Sequence, residues 1–211
     1  GSSSVKLCEI VTTLRKFELV GFGTEAVDVP FDETPSFEAL ATTAERLLER
    51  RGLKNETIMC SLPPGLASTV ILDLPFDQPK KIEAVLGFQL EEAIPMDVED
   101  VIYDYQIIER GPENTSKVLC AYVRETDLKR LLTALLEVGI DPKRVSLGPL
   151  SFINLYDHII GSEVTDTVAF LDLGHAHTEF TVFDHGKPQI VREISAGGQD
   201  VTREIAEAFQ P

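Results

Sequence analysis

The chain has 211 residues, 43% hydrophobic and 26% charged, which places it among globular proteins and holds one large or two small domains. Its 35 Asp+Glu against 19 Lys+Arg give a formal net charge of −16, which argues against nucleic-acid binding, where a cationic face supplies the affinity, and against an anionic membrane surface. No apolar run approaches the roughly 20 residues of a membrane span and no signal peptide opens the chain, so a soluble, cytoplasmic segment without membrane insertion is expected.

Residues 5–11 and 17–24 read as strands joined by a hairpin at 12–16. A polar connection leads to Ser36, a good N-cap. Phe37, Leu40, Ala41, Ala44, Leu47 and Leu48 then follow helical spacing, and Gly52 supplies the stop. Residues 57–62 form a short strand ended by Pro63-Pro64-Gly65. A second block opens with a strand at 68–74. Asp77 and Pro79 start a helix carrying Ile82, Val85, Leu86, Leu90 and Ala93, which stops before Pro95. Strands at 102–109 and 117–123 flank the polar turn 111–114, and Thr126 caps a helix closed by Gly139. This block, 66–143, predicts an inserted α/β subdomain. Residues 144–147 form another short strand, and Gly148-Pro149 opens a helix to about residue 160. Strands follow at 167–173, 178–183 and 187–194, the last two joined at Asp184-His185-Gly186, where glycine provides the positive φ of a tight hairpin. Gly197-Gly198 leads into a final helix with Val201, Ile205, Ala208 and Phe209. Cys8, Cys60 and Cys120 are odd in number and far apart. Each lies in an apolar strand-like run, which predicts buried thiols of a reducing compartment.

The two ends of the chain repeat a pattern. Gly1-Ser2-Ser3-Ser4-Val5-Lys6 enters strand, hairpin and helix, and Asp172-Leu173-Gly174 through Thr178 does the same. A glycine turn between paired strands offers backbone N–H groups to an anion, hydroxyls add donors, and an Asp at the strand end holds Mg²⁺ through water. These paired loops resemble the phosphate loops of actin-like ATPases. The run Leu74-Pro75-Phe76, Lys81-Ile82-Glu83, Phe88-Gln89-Leu90-Glu91, Ile94-Pro95 and Tyr103-Asp104-Tyr105 is similar to one branch of them, and so are Ser61-Leu62-Pro63 and 196–202. That branch comprises the cytoplasmic domains of the type II secretion protein GspL and of the type IV pilus protein PilM.

The resemblance implies an α/β actin-like ATPase (ribonuclease H-like) fold. Residues 1–65 with 144–163 would form its first subdomain, 66–143 the inserted subdomain, and 164–211 the start of an incomplete second half. It also implies a strand ending in Asp-x-Gly ahead of Gly1, and an adenine side after Pro211. Gly1, Ser2, Ser3, Ser4, Lys6, Asp172, Gly174 and Thr178 would line the phosphate site. With those parts missing and the bulky His175 in the second loop, no nucleotide is expected on this chain, whereas the complete protein would take ATP with Mg²⁺. The implied function is a non-catalytic scaffold at the inner face of the bacterial inner membrane. It would link the secretion or pilus ATPase to cytoplasmic segments of inner-membrane subunits, with the GspL branch favoured over PilM and a sugar-kinase-like phosphotransferase as the alternative. A carboxylate cluster in the insert, with Glu99, Asp100 and Asp104 at its centre, is expected to rim a groove for a protein segment.

Overall fold

The computed structural model of the chain describes residues 1–14, 16–31, 33–53, 56–156, 158 and 166–209. In chain order the elements are β1 (Ser4–Thr12), β2 (Phe17–Ala26), α1 (Phe37–Arg51), β3 (Met59–Ser61), β4 (Ala67–Leu74), α2 (Pro79–Ala93), β5 (Val101–Arg110), β6 (Ser116–Arg124) and α3 (Glu125–Glu137). They continue with β7 (Arg144–Ser146), α4 (Gly148–Leu155), β8 (Val168–Leu173), β9 (Thr178–Asp184), β10 (Lys187–Ile194) and α5 (Gly198–Ala208).

β1 and β2 pair antiparallel from Ser4↔Ala26 to Thr12↔Phe17, with a bulge after Glu9. The Ser36 hydroxyl accepts the Ala39 N–H to start α1, and Gly52 closes it at φ +68°, in the left-handed region that a Cβ disfavours. The helix lies close on the hairpin. A Cβ on Gly23 would stand 3.1 Å from Leu47 Cδ1, and Arg51 pairs with Glu9 at 2.5 Å.

β3 and β7 pair parallel over three residues, and everything between them is the insert. Its sheet runs β4-β6-β5. α2 covers one face through buried Ile82, Leu86 and Leu90, packed on Val101, Val118 and Cys120. α3 turns away from that sheet toward α1, where Ala41, Leu131, Ala134 and Leu135 share one core. The other face of the insert sheet places Ile71, Ile108 and Leu119 against Ile153, Tyr156, Phe183 and Val191. That core joins the insert to α4 and to the third sheet, β10-β9-β8.

In the second half β9 lies between β8 and β10, and in the first half, among the described residues, β1 pairs with β2. A groove of about 350 Å³ lies between β1 and β3. Val5, Leu7, Leu48, Ile58, Cys60 and Leu135 are among the residues that line it.

Several expectations change. Cys8 is exposed, because it lies on the face of β1 away from α1, opposite the exposed Phe22. Cys60 is half-buried, and Cys120 is buried with its thiol pushed up to about 12 by desolvation. α3 starts at Glu125 with Arg124 in the cap position, since β6 runs straight into the helix and leaves Thr126 inside it. Gln78 stands at the cap of α2, because Asp77 is engaged with Arg110 at 2.9 Å. The strand expected over 57–62 is limited to Met59–Ser61 by the three partners β7 offers. α4 is described as Gly148–Leu155, and the expected continuation to residue 160 falls largely outside the described residues.

Candidate functional site

The run ahead of β1 and the turn between β8 and β9 meet in space. Ser2 Oγ accepts the Ala176 N–H at 3.1 Å, so the two loops touch directly. Within the second loop the Gly174 N–H donates to the His177 carbonyl at 3.0 Å, and the Gly174 carbonyl accepts from Gly198 at 2.9 Å. A Cβ on Gly174 would stand 2.7 Å from the His177 carbonyl oxygen, so this close turn requires glycine. Asp200 caps the start of α5 by accepting the Gly197 N–H at 2.8 Å. The Thr178 side chain is buried, and its hydroxyl donates to the Ala196 carbonyl at 2.7 Å. His175 Nε2 lies 3.0 Å from the Phe31 carbonyl, with its ring edge-on to Phe31.

Of the eight residues expected at the phosphate site, Gly1, Ser2, Asp172, Gly174 and Lys6 converge on the base of β9. Ser4 is taken into β1 opposite Ala26, the Ser3 carbonyl accepts the Val27 N–H at 3.0 Å, and Thr178 faces inward. Several of the groups an anion would use therefore already have intramolecular partners. His175 and His177 turn to different partners, and among the described residues no set of three His, Cys, Asp or Glu side chains could hold a metal ion.

Sequence reasoning missed the most perturbed carboxyl at these loops. Glu179 on β9 is the cross-strand partner of Asp172 on β8 and of Glu193 on β10, so three carboxylates stand in a row across the sheet. Burial, then Glu193, then Asp172 push the Glu179 carboxyl up to about 7, against the opposing pull of Lys6. Its oxygens lie over Gly148 at the start of α4, where any side chain would run into them. Part of the signal was present in the chain. Counting outward from the turn at 174–177 pairs 172 with 179, but counting from 185–186 pairs 179 with 192, and only the bulge between Pro188 and Ile190 brings 193 onto the row.

Two grooves border the insert. One, of about 450 Å³, lies between β4 and β10, with Leu62, Pro63, Val70 and Tyr122 in its walls and Glu179 and Glu193 beside them. At one end Thr69 Oγ1 donates to the Val191 carbonyl at 2.9 Å, and the Arg192 guanidinium reaches the Thr69 carbonyl at 3.4 Å and the Val191 carbonyl at 3.0 Å. His177 Nδ1 lies 3.0 Å from Glu193 Oε1, at ion-pair distance but out of line for a hydrogen bond. The other groove, of about 310 Å³, runs past Phe37, Leu40 and Leu66 beneath Arg130, whose guanidinium sits 5.3 Å from the centre of the Phe37 ring. Glu99, Asp100 and Asp104 line neither groove. They stand exposed at the start of β5, where Asp104 Oδ1 accepts the Tyr105 N–H at 2.8 Å.

Residues 1–210 match the family described as type IV pilus assembly protein PilM. Among solved structures, a PilM–PilN type IV pilus biogenesis complex aligns with a TM-score of 0.85 at 21% identity, over 99% of this chain and 63% of that one. The cytoplasmic domain of EpsL, an inner-membrane component of the type II secretion system of Vibrio cholerae, aligns at 0.56 and 17% identity, over 100% of this chain and 74% of that one. A Bacteroides thetaiotaomicron protein with an actin-like ATPase fold and unknown function aligns at 0.48 and 12%, over 92% of this chain and 67% of that one. The chain therefore spans less than two thirds of the PilM chain it matches. Among the described residues no helix is long and apolar enough to cross a membrane. The fold is that of the actin-like ATPases, with part of the second half present, and the relatives are assembly proteins of type IV pili or type II secretion. The family match runs without a break through both loops and the insert, and the chain belongs to the PilM family of type IV pilus assembly proteins.

Proposed function

We propose that the chain is a non-catalytic, cytoplasmic part of an inner-membrane assembly platform that holds a cytoplasmic segment of a membrane subunit in a groove beside its insert. In this reading it couples that subunit to the assembly ATPase. The observation that carries the reading is the family match over residues 1–210, which includes the whole insert. The sequence alone favours the GspL branch. The family match, and a TM-score of 0.85 with PilM against 0.56 with EpsL, support the pilus side. A relative in complex with PilN supports a membrane-subunit partner. The loops fit a scaffold as well, because Ser2, Thr178 and His175 already bond to the chain's own backbone. ATP with Mg²⁺ remains a proposal for the complete protein only.

The test is binding of the full-length protein to synthetic cytoplasmic segments of the inner-membrane subunits, and to the assembly ATPase, by interferometry and pull-down. At least one partner is expected to bind below about 100 µM, roughly −5.5 kcal/mol on the affinity scale. If none does, the scaffold reading fails and a phosphotransferase should be tested with Mg·ATP and sugars.

A further inference from the structure

Three consecutive residues at the tip of the second loop each hold a different part of the first half. His175 reaches the strap that follows β2, residues 27–31. Its Nε2 donates to the Phe31 carbonyl at 3.0 Å, and its ring meets the Phe31 ring edge-on with centres 4.9 Å apart. A carbonyl oxygen only accepts, so Nε2 carries the hydrogen. The Ala176 N–H reaches the run ahead of β1, where Ser2 Oγ accepts it at 3.1 Å. The His177 ring lies against the backbone of Gly65, where a Cβ would stand 2.8 Å from its Cε1. The strap is tied to the first loop in turn, since the Val27 N–H donates to the Ser3 carbonyl at 3.0 Å. Behind the tip, the carbonyls of Gly174 and His175 accept the N–H groups of Gly198 and Gln199 at the start of α5, both at 2.9 Å.

These are the groups that a phosphate between the loops would call on: loop N–H groups, a threonine hydroxyl and the first N–H groups of a helix. The Ala176 N–H is given to Ser2, the Thr178 hydroxyl to the Ala196 carbonyl, and the α5 groups to the loop itself. As they stand, the loops do not fit a phosphoryl group. We infer that residues 175–177 are a clasp that fastens the second half to the first, and that it keeps the two loops closed to phosphate until it opens as a unit. The three contacts share one turn, so loosening one loosens its neighbours. The Phe31 side chain is 51% exposed, so the strap can lift without uncovering the core. A ligand of the open form then binds only in proportion to the open fraction.

The experiment uses the full-length protein with its Phe31→Ala, His175→Ala and doubly substituted forms. Hydrogen exchange at the Ala176 amide reads the opening of the clasp, and calorimetry with Mg·ATP reads its closure to phosphate. Each single variant is expected to speed exchange at Ala176 by about tenfold, although neither side chain touches that amide. The Kd for Mg·ATP should fall by the same factor as the exchange rises. The double variant should exceed His175→Ala by no more than about twofold, as expected of residues in contact. Phe31→Ala alters an exposed side chain and keeps the test open if His175→Ala fails to fold. Exchange at Ala176 within about twofold of native overturns the clasp, and faster exchange at an unchanged Kd overturns the closure to phosphate. Binding of membrane-subunit segments is a separate measurement, so the clasp and the scaffold reading can each fail without the other.

Discussion

Glu179 is the carboxyl for which the structure makes the sharpest quantitative demand. Its folded-state pKa of about 7 lies above the ordinary 4.5, a difference of about 2.5. Between those two values the folded chain holds a proton that the unfolded chain has released. Stability is therefore lost as pH rises through this window. At 1.36 kcal/mol per unit the full penalty would be roughly 3.4 kcal/mol at high pH. The side chain is only half-buried and water screens it, so about half of that is the working figure. Glu179→Gln removes the ionisation with little change of shape. It should stabilise the protein by about 0.7 kcal/mol at pH 5.5 and about 1.7 kcal/mol at pH 8. Urea denaturation of both proteins at the two pH values reads this directly as a shift in midpoint at unchanged slope. An equal shift at both pH values, or a loss of stability at pH 8, would refute the row of crowded carboxyls across β8, β9 and β10.

Three further outcomes are expected. With a thiol reagent under native conditions Cys8 should react first, Cys60 more slowly, and Cys120 only after unfolding, as mass mapping of labelled peptides would show. Ile82→Ala empties a fully buried position beneath α2 and should cost about 2–5 kcal/mol in chemical denaturation, and a cost under about 1 kcal/mol would mean that α2 does not clamp the insert sheet. Millimolar Mg·ATP should move the melting temperature of this chain by no more than about a degree, whereas a ligand at 100 times its Kd would add roughly 2.7 kcal/mol, a shift readily seen by scanning fluorimetry.

Most elements were legible because their hydrophobic periods are clean and their punctuation is strong. Ser36 and Gly52 bracket α1, Pro95 follows α2, and Gly186 marks the hairpin between β9 and β10. Burial was less legible, because it depends on which layers come to cover a face. Cys8 and Cys120 both sit in apolar strands, yet only the second has α2 over it. The site was legible as two loops but not as chemistry. That Ser2 meets Ala176 and His175 meets Phe31 is a matter of tertiary placement more than 140 residues apart in sequence. The Glu179 row needed strand register, which a pattern of apolar residues does not fix to a single residue where turns are irregular. Glu99, Asp100 and Asp104 were legible as a dense run of charge, which marks an exposed face, whereas the groove carboxyls come from separate strands.

The place of β6 bears on how the molecule comes apart. β6 is paired on both sides and covered on both faces, by α2 on one and by α4 and the third sheet on the other. Amide exchange should therefore reach β6 last, with Val118, Leu119 and Cys120 keeping their hydrogens until the whole chain unfolds. The insert would then set the slowest clock in the molecule, against which the opening of each outer element can be timed.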